Sequence, residues 1–279
     1  MESKIKGALY GFAIGDAMGA TTEFMSKESI QSHYGIVDEL IGGGWLGLKP
    51  GEVTDDTQMM LCVCDAIEQG VGEKEMLDKC CENFIEWYHT KPVDIGCCCR
   101  RIIEAGLSNP DSDYWRGFAK DNESLGNGSL MRTLPIVLAG LSEETAMSQG
   151  QLTHNNAVCD YAIKHYHRNI ISLLENNEFY NTGEELFEPV GHVINTLSNA
   201  LYWAQNSSSL AEAIINAVNH GGDADTIAAI TGSLVGALYG YDAIPSRWVE
   251  QLKADTKQKL DRYVNIFAQM YVRTNRNIV

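Results

Sequence analysis

The sequence predicts an all-α fold, and three observations carry that prediction. Apolar residues recur at helical steps along most of the chain, strand-like alternation is nearly absent, and the few prolines are scattered. Amphipathic runs rich in Ala, Leu, Glu and Gln mark helices over residues 56–68, 74–88, 160–175, 190–204, 210–218 and 225–239. In the first of these, Leu61, Cys64, Ala66 and Ile67 fall on one stripe. No long Pro/Gly/Ser linker interrupts the 279 residues, so residues 1–279 are expected to form one domain.

The N-terminal stretch MESKIKGALYGFAIGDAMGA resembles a signal peptide at a glance, but Gly15 and Asp16 break its apolar run. No other stretch approaches the ~20 apolar residues that span a bilayer, which leads to the expectation of a soluble, cytoplasmic protein without membrane contact. The pentapeptide GALYG occurs at residues 7–11 and again at 236–240. It is too short to signal a duplication and reads as small residues that let helices pack closely.

A formal net charge of −16 argues against bulk nucleic-acid binding, which needs clustered Lys and Arg. It leaves room for an anionic small substrate, because bound divalent cations invert the field of a carboxylate-rich pocket. Eight cysteines occur without any C-x-x-C spacing, so a disulfide framework is not expected and buried reduced thiols are. A Cys-ligated zinc at the triplet 97–99 is the lesser alternative.

The Gly-rich patch IGGGWLGLKPGEVTDD (residues 41–56) is too short for a linker and reads as an active-site loop. It ends in Thr54, Asp55 and Asp56, directly before a helical run. HGGDADTIAAITG (residues 220–232) repeats the idea: two glycines, then Asp223, Asp225 and Thr226 at a helix start. Asp and Thr are ordinary helix N-caps, and for either cluster alone cap and ligand both remain open. If the two starts face each other, they offer four carboxylates and two hydroxyls. That all-oxygen set suits Mg²⁺ or Mn²⁺ over zinc, and four carboxylates in one cleft imply two cations.

GFAIGDAMGATTEF (residues 11–24), EVTDDTQMML (52–61), DIG (94–96), GNGSLMR (126–132), LTH (152–154) and GGDADT (221–226) resemble, in this order, the motifs of the ADP-ribosylglycohydrolase family. The resemblance spans most of the chain. It implies a compact single-domain orthogonal helical bundle with a binuclear metal cleft, which cleaves mono-ADP-ribose at the ribose anomeric carbon. It further implies Thr54, Asp55, Asp56, Asp223, Asp225 and Thr226 as ligands of two Mg²⁺ or Mn²⁺ ions. Glu23 matches an acidic residue lining the metal cleft, and catalysis is expected from Glu23, Asp55, Asp56 and Asp223.

The same resemblance places substrate contacts at Asp94, Gly126, Asn127, Gly128, Ser129, Met131, His154 and His192. The backbone amides of the GNGS turn can cradle a pyrophosphate, with Ser129 as a further donor. His154 can bond ribose or phosphate. His192 stands where many relatives stack an aromatic residue on adenine, with Tyr202 or Trp203 as compensating rings. Asp94 either pairs a guanidinium leaving group in bidentate fashion or caps a helix after Pro92.

The expected partner is therefore an ADP-ribosylated protein or a small ADP-ribose conjugate, with arginine favoured as the leaving group and the chain a monomer. A non-catalytic ADP-ribose-binding relative and an all-α Mg²⁺-dependent nucleotide phosphohydrolase are the alternatives. The first would lose ligands, and all six are present; the second uses Glu-rich helix pairs, and this chain has Asp/Thr clusters.

Overall fold

In the computed structural model, which describes residues 1–70, 72–120, 123–181 and 185–276, the centre is a pair of antiparallel helices from opposite ends of the chain. The α-helices run in order α1 (Glu2–Gly19), α2 (Lys27–His33), α3 (Asp55–Gln69), α4 (Glu73–His89), α5 (Cys97–Gly106), α6 (Ser112–Lys120) and α7 (Leu134–Leu138). They continue as α8 (Glu143–Gly150), α9 (Ala157–Asn176), α10 (Val193–Gln205), α11 (Leu210–His220), α12 (Ala224–Tyr239), α13 (Ser246–Gln251) and α14 (Ala254–Arg276). Among the described residues there is no strand, only isolated bridges such as Gly126 with His192. All six runs expected from periodicity are helices; only residues 190–192 of the run 190–204 are not, because His192 is the N-cap of α10.

α1 and α12 form the core because nearly every residue on them is small or apolar and buried. A helix apolar all round belongs in an interior. Their contact is a seam of small residues at four-residue spacing. A Cβ added to Gly7 would lie 2.4 Å from the Gly236 carbonyl oxygen, one on Gly11 2.2 Å from that of Gly232, and one on Gly15 2.1 Å from that of Ala228. The repeated GALYG is thus the two halves of one close helix contact, not a duplicated unit. Around this pair α11 and α10 cover α12, α14 covers α1, and α3 packs on α4.

The seam runs to Gly19, where a Cβ would meet the Ala224 carbonyl at 2.5 Å, and so aligns the C-terminal end of α1 with the start of α12. α3 is fixed to the same end by Asp16, a fully buried carboxylate on α1. It accepts hydrogen bonds from the backbone N–H of Thr54 at 3.0 Å and of Thr57 at 3.0 Å. No described helix is long and apolar enough to cross a membrane. The eight cysteines are all free, and six of them (Cys62, Cys64, Cys80, Cys81, Cys99 and Cys159) are buried.

Candidate active site

At this shared end a cleft of about 290 Å³ opens, lined by the carboxylates of Glu23, Asp55, Asp56, Asp94, Asp223 and Asp225 and by no lysine or arginine. The two Asp/Thr helix starts do face each other: Thr226 Oγ1 donates to Asp56 Oδ2 at 3.3 Å. Thr54 Oγ1 lies 3.4 Å from the same oxygen.

Capping does not account for these aspartates. At α3 the cap is Thr54, whose hydroxyl accepts from the Asp56 N–H, and Asp16 satisfies further N–H groups from outside. Asp55 and Asp56 are left free of that duty. At α12 the N-cap residue Asp223 makes no side-chain cap bond. Its Oδ2 accepts instead from Asn127 Nδ2 at 2.5 Å. Buried Asp56 Oδ1 has no hydrogen-bond partner at all. A buried carboxylate oxygen without a donor is costly unless a cation meets it.

Electrostatics agree. Burial, then the neighbouring carboxylates, push Asp55, Asp56 and Asp225 well above the usual aspartate range. Burial raises Asp223 to about 6 despite the Asn127 hydrogen bond. Burial also lifts Glu23 to about 8, opposed by the Trp45 hydrogen bond and reinforced by Asp94 and Asp223. Carboxylates that cannot ionise together as free groups are the signature of a site completed by protons or by divalent cations. The geometry favours cations, since carboxylate oxygens of Glu23, Asp223 and Asp225 lie within 4.8 Å of one another. Hard oxygen donors in that number suit Mg²⁺ or Mn²⁺, so the residues present fit the expected group.

The remaining expected residues divide. Gly126, Asn127, Gly128, Met131 and His154 line the cleft. Gly128 has no room for a side chain: a Cβ there would lie 2.8 Å from Cys99 Sγ and 3.1 Å from His154 Cε1. His154 is held neutral, its pKa lowered to about 3 by burial and by Arg132. Its Nδ1 lies 2.8 Å from Thr153 Oγ1, which itself accepts from Arg132 Nη2 at 2.8 Å. In the tautomer where Thr153 Oγ1 donates to Nδ1, Nε2–H is the donor beside Gly126.

Ser129, the last residue of the turn, is fully buried and is not among the residues that line the cleft. Thr54 is likewise fully buried and serves α3 as cap. His192 caps α10 through Nδ1 and the Ile194 N–H at 3.3 Å, and neither it nor Tyr202 or Trp203 lines the cleft. Asp94 lines the cleft and caps nothing, because the N-cap of α5 is Gly96. The Gly96 N–H reaches across to Asp55 Oδ2 at 3.2 Å.

Three contributors have weak sequence signals. Asp16 interrupts an apolar run and lies inside the motif at residues 11–24, with nothing there to mark its bond to a distant helix. Trp45, in the Gly-rich loop, donates its indole N–H to Glu23 Oε2 at 2.6 Å. Cys97, Cys98 and Cys99 line the cleft as the first turn of α5.

An all-α scaffold that aims two opposed Asp/Thr helix starts into one acidic, glycine-cornered cleft belongs to the class of hydrolases that work with divalent cations. The ADP-ribosylglycohydrolase family model matches residues 1–174 and 162–276. The chain belongs to the ADP-ribosylglycohydrolase family. It is similar to the ADP-ribosyl-[dinitrogen reductase] glycohydrolase of Rhodospirillum rubrum, 36% identical over 93% of each chain. It also resembles the ADP-ribosylarginine hydrolase Tri1 of Serratia proteamaculans, 32% identical over 89% of this chain and 75% of that one. A solved structure described as an ADP-ribosylglycohydrolase-related protein complex superposes with a TM-score of 0.77 at 28% identity, covering 97% of this chain and 98% of the other.

Proposed function

We propose that this protein hydrolyses the bond between ADP-ribose and an arginine side chain of a modified protein. The observation that carries the reading is the meeting of α3 and α12 through Thr226 and Asp56 inside a cleft of six carboxylates. Thr54, Asp55, Asp56, Asp223, Asp225 and Thr226 would hold two divalent cations, Mg²⁺ or Mn²⁺. When bound, such ions neutralise the cleft, orient the ribose hydroxyls and acidify a water.

The chain's own residues divide the remaining work. Trp45 fixes one oxygen of Glu23, leaving the other to take a proton from the water that attacks the anomeric carbon. The new C–O bond replaces the C–N bond to the guanidine, giving free ADP-ribose and an unmodified arginine. Asp94 pairs the guanidinium on its edge, with two charge-assisted hydrogen bonds that a serine oxygen cannot match. Gly126 and Gly128 let the diphosphate approach the backbone, and His154 Nε2–H donates to it. Asn127 holds Asp223 in place between Thr196 and the cleft.

The test is incubation with Mg²⁺ and arginine-linked ADP-ribose beside the serine-linked conjugate. Release of ADP-ribose from the first is expected. Turnover of neither conjugate would overturn the assignment.

A further inference from the structure

Two exposed aromatic side chains adjoin the cleft, Phe24 as part of its lining and Trp45 through its contacts with the lining residues Glu23 and Phe24. Phe24, which lines it, is 67% exposed, and Trp45 is 56% exposed. Their rings lie 5.4 Å apart, tilted by 44°. Neither is a loose surface residue. Phe24 has a φ of 60°, a left-handed conformation that side chains other than glycine rarely adopt. It is pinned there by its N–H to the Gly222 carbonyl at 2.6 Å, while the Gly222 N–H returns to Met25 O at 2.9 Å. Trp45 is pinned by its indole hydrogen bond to Glu23, and its loop lies so close to α1 that a Cβ on Gly44 would sit 2.2 Å from the Ala20 carbonyl oxygen.

The fold therefore holds two apolar rings in water, Phe24 in a strained backbone on the cleft that Asp94 and Glu23 also line, and Trp45 bonded to Glu23. Such strain at a cleft is maintained where a ligand uses it. A guanidinium has two modes of recognition that a neutral leaving group lacks: its edge pairs a carboxylate and its face stacks on an aromatic ring. Asp94 offers the first, and the Phe24–Trp45 pair offers the second on the same cleft. We propose that Phe24 and Trp45 form the stacking wall of a guanidinium subsite, and that this wall selects arginine-linked over neutral conjugates. The inference rests on the arginine reading given above, and names which residues enforce it.

The experiment separates stacking from the indole's grip on Glu23. kcat/KM is measured for wild type, Phe24→Leu, Trp45→Ala and Trp45→Phe on arginine-linked and serine-linked ADP-ribose. Phe24→Leu is expected to cost about tenfold on the arginine conjugate, mostly in KM, and less than about twofold on the serine conjugate. Trp45→Phe keeps a ring but loses the N–H, so it should slow both conjugates alike and preserve their ratio. Trp45→Ala should do both.

Equal losses on the two conjugates in Phe24→Leu would overturn the proposal. A binding arm does not depend on turnover: agmatine, a free guanidinium, is titrated into metal-loaded wild type while tryptophan emission is followed, with Trp45→Phe as the background and n-butanol as the neutral control. Quenching by agmatine alone, lost in Trp45→Phe, supports the subsite even if the arginine conjugate is not cleaved, in which case the activity assignment is what fails. No agmatine-specific quenching overturns the subsite.

Discussion

Thr226 Oγ1 donates to Asp56 Oδ2 across 3.3 Å, although 170 residues separate them in the chain. That bond joins the first turns of α3 and α12 and sets their carboxylates against one another. Without compensation the arrangement is repulsive, and much of its chemistry follows from how the repulsion is relieved.

Removing divalent metal should abolish turnover. EDTA treatment is expected to leave no measurable release of ADP-ribose, and added Mg²⁺ or Mn²⁺ to restore it. Ca²⁺ should restore little, because its larger and looser shell orients water and ribose poorly. Full activity in chelator would remove the basis for the two-cation cleft.

Asp225→Asn should separate catalysis from folding. Activity is expected to fall by about a hundredfold or more, since a cation held by charge loses one ligand. The metal-free variant should melt no lower than metal-free wild type, because Asp225 is raised by burial and then by Glu23, Asp56 and Asp223, and one source of that repulsion is gone. A variant with normal rates would mean that Asp225 is no ligand.

The metal-free protein should lose stability as pH rises from 6.5 towards 8. Glu23 holds its proton in the folded state up to about 8, far above its value of 4.5 in an unfolded chain, so its contribution is complete below 4.5 and is lost through 8. The buried His154, lowered to about 3, acts in the opposite sense but only below its unfolded value of 6.5. Above 6.5 the raised carboxylates Asp55, Asp56 and Asp225 act in the same direction as Glu23, whose own share of the slope is at most about 1.4 kcal/mol per pH unit for one proton. Thermal melts in EDTA should show stability falling with pH, and Glu23→Gln should make the fall shallower.

Asp94→Ala should reduce kcat/KM on the arginine conjugate by about a hundredfold, the scale of one lost charged partner in a shielded cleft. The serine conjugate should be little affected. Equal slowing of both would assign Asp94 to the reaction itself, through the hydrogen bond that its carboxyl shares with Asp55.

The helical seam makes a prediction about stability alone. Gly11→Ala places a Cβ 2.2 Å from the Gly232 carbonyl oxygen, with no flexible side chain to yield, and should cost about 3 kcal/mol or more in urea unfolding. Gly117→Ala, which meets nothing within 4 Å on α6, should be neutral or stabilising by up to about 1 kcal/mol. Equal behaviour of the two would contradict the seam.

Much of this was legible in the sequence because it is local. The period of 3.6 residues located α3, α4, α9, α10, α11 and α12, and the paired T-D-D and D-x-D-T clusters announced donors that caps alone do not require. What escaped was long-range. Asp16 caps a helix to which it is not connected, so no local pattern reveals its role. Trp45 reaches Glu23 from a loop 22 residues away in sequence. Ser129 sits in a promising motif, yet whether its side chain faces the cleft or the packing beneath it depends on Cys159, which only the folded chain brings near, while His192 turns to the local task of capping α10 at Ile194.

Because α1 pairs with α12, the reaction centre has a birth order. Glu23 and Asp16 leave the ribosome roughly 200 residues ahead of Asp223 and Asp225, a wait of about 10 to 40 seconds at ordinary synthesis rates. Throughout that interval the glycine face of α1 has no mate, and a nascent or truncated chain ending before residue 223 lacks two of the six cleft carboxylates, Asp223 and Asp225. Such a chain has neither its central helix pair nor the complete acidic cleft. Competence arrives late and all at once, when the C-terminal third docks and turns two distant stretches of sequence into one catalyst.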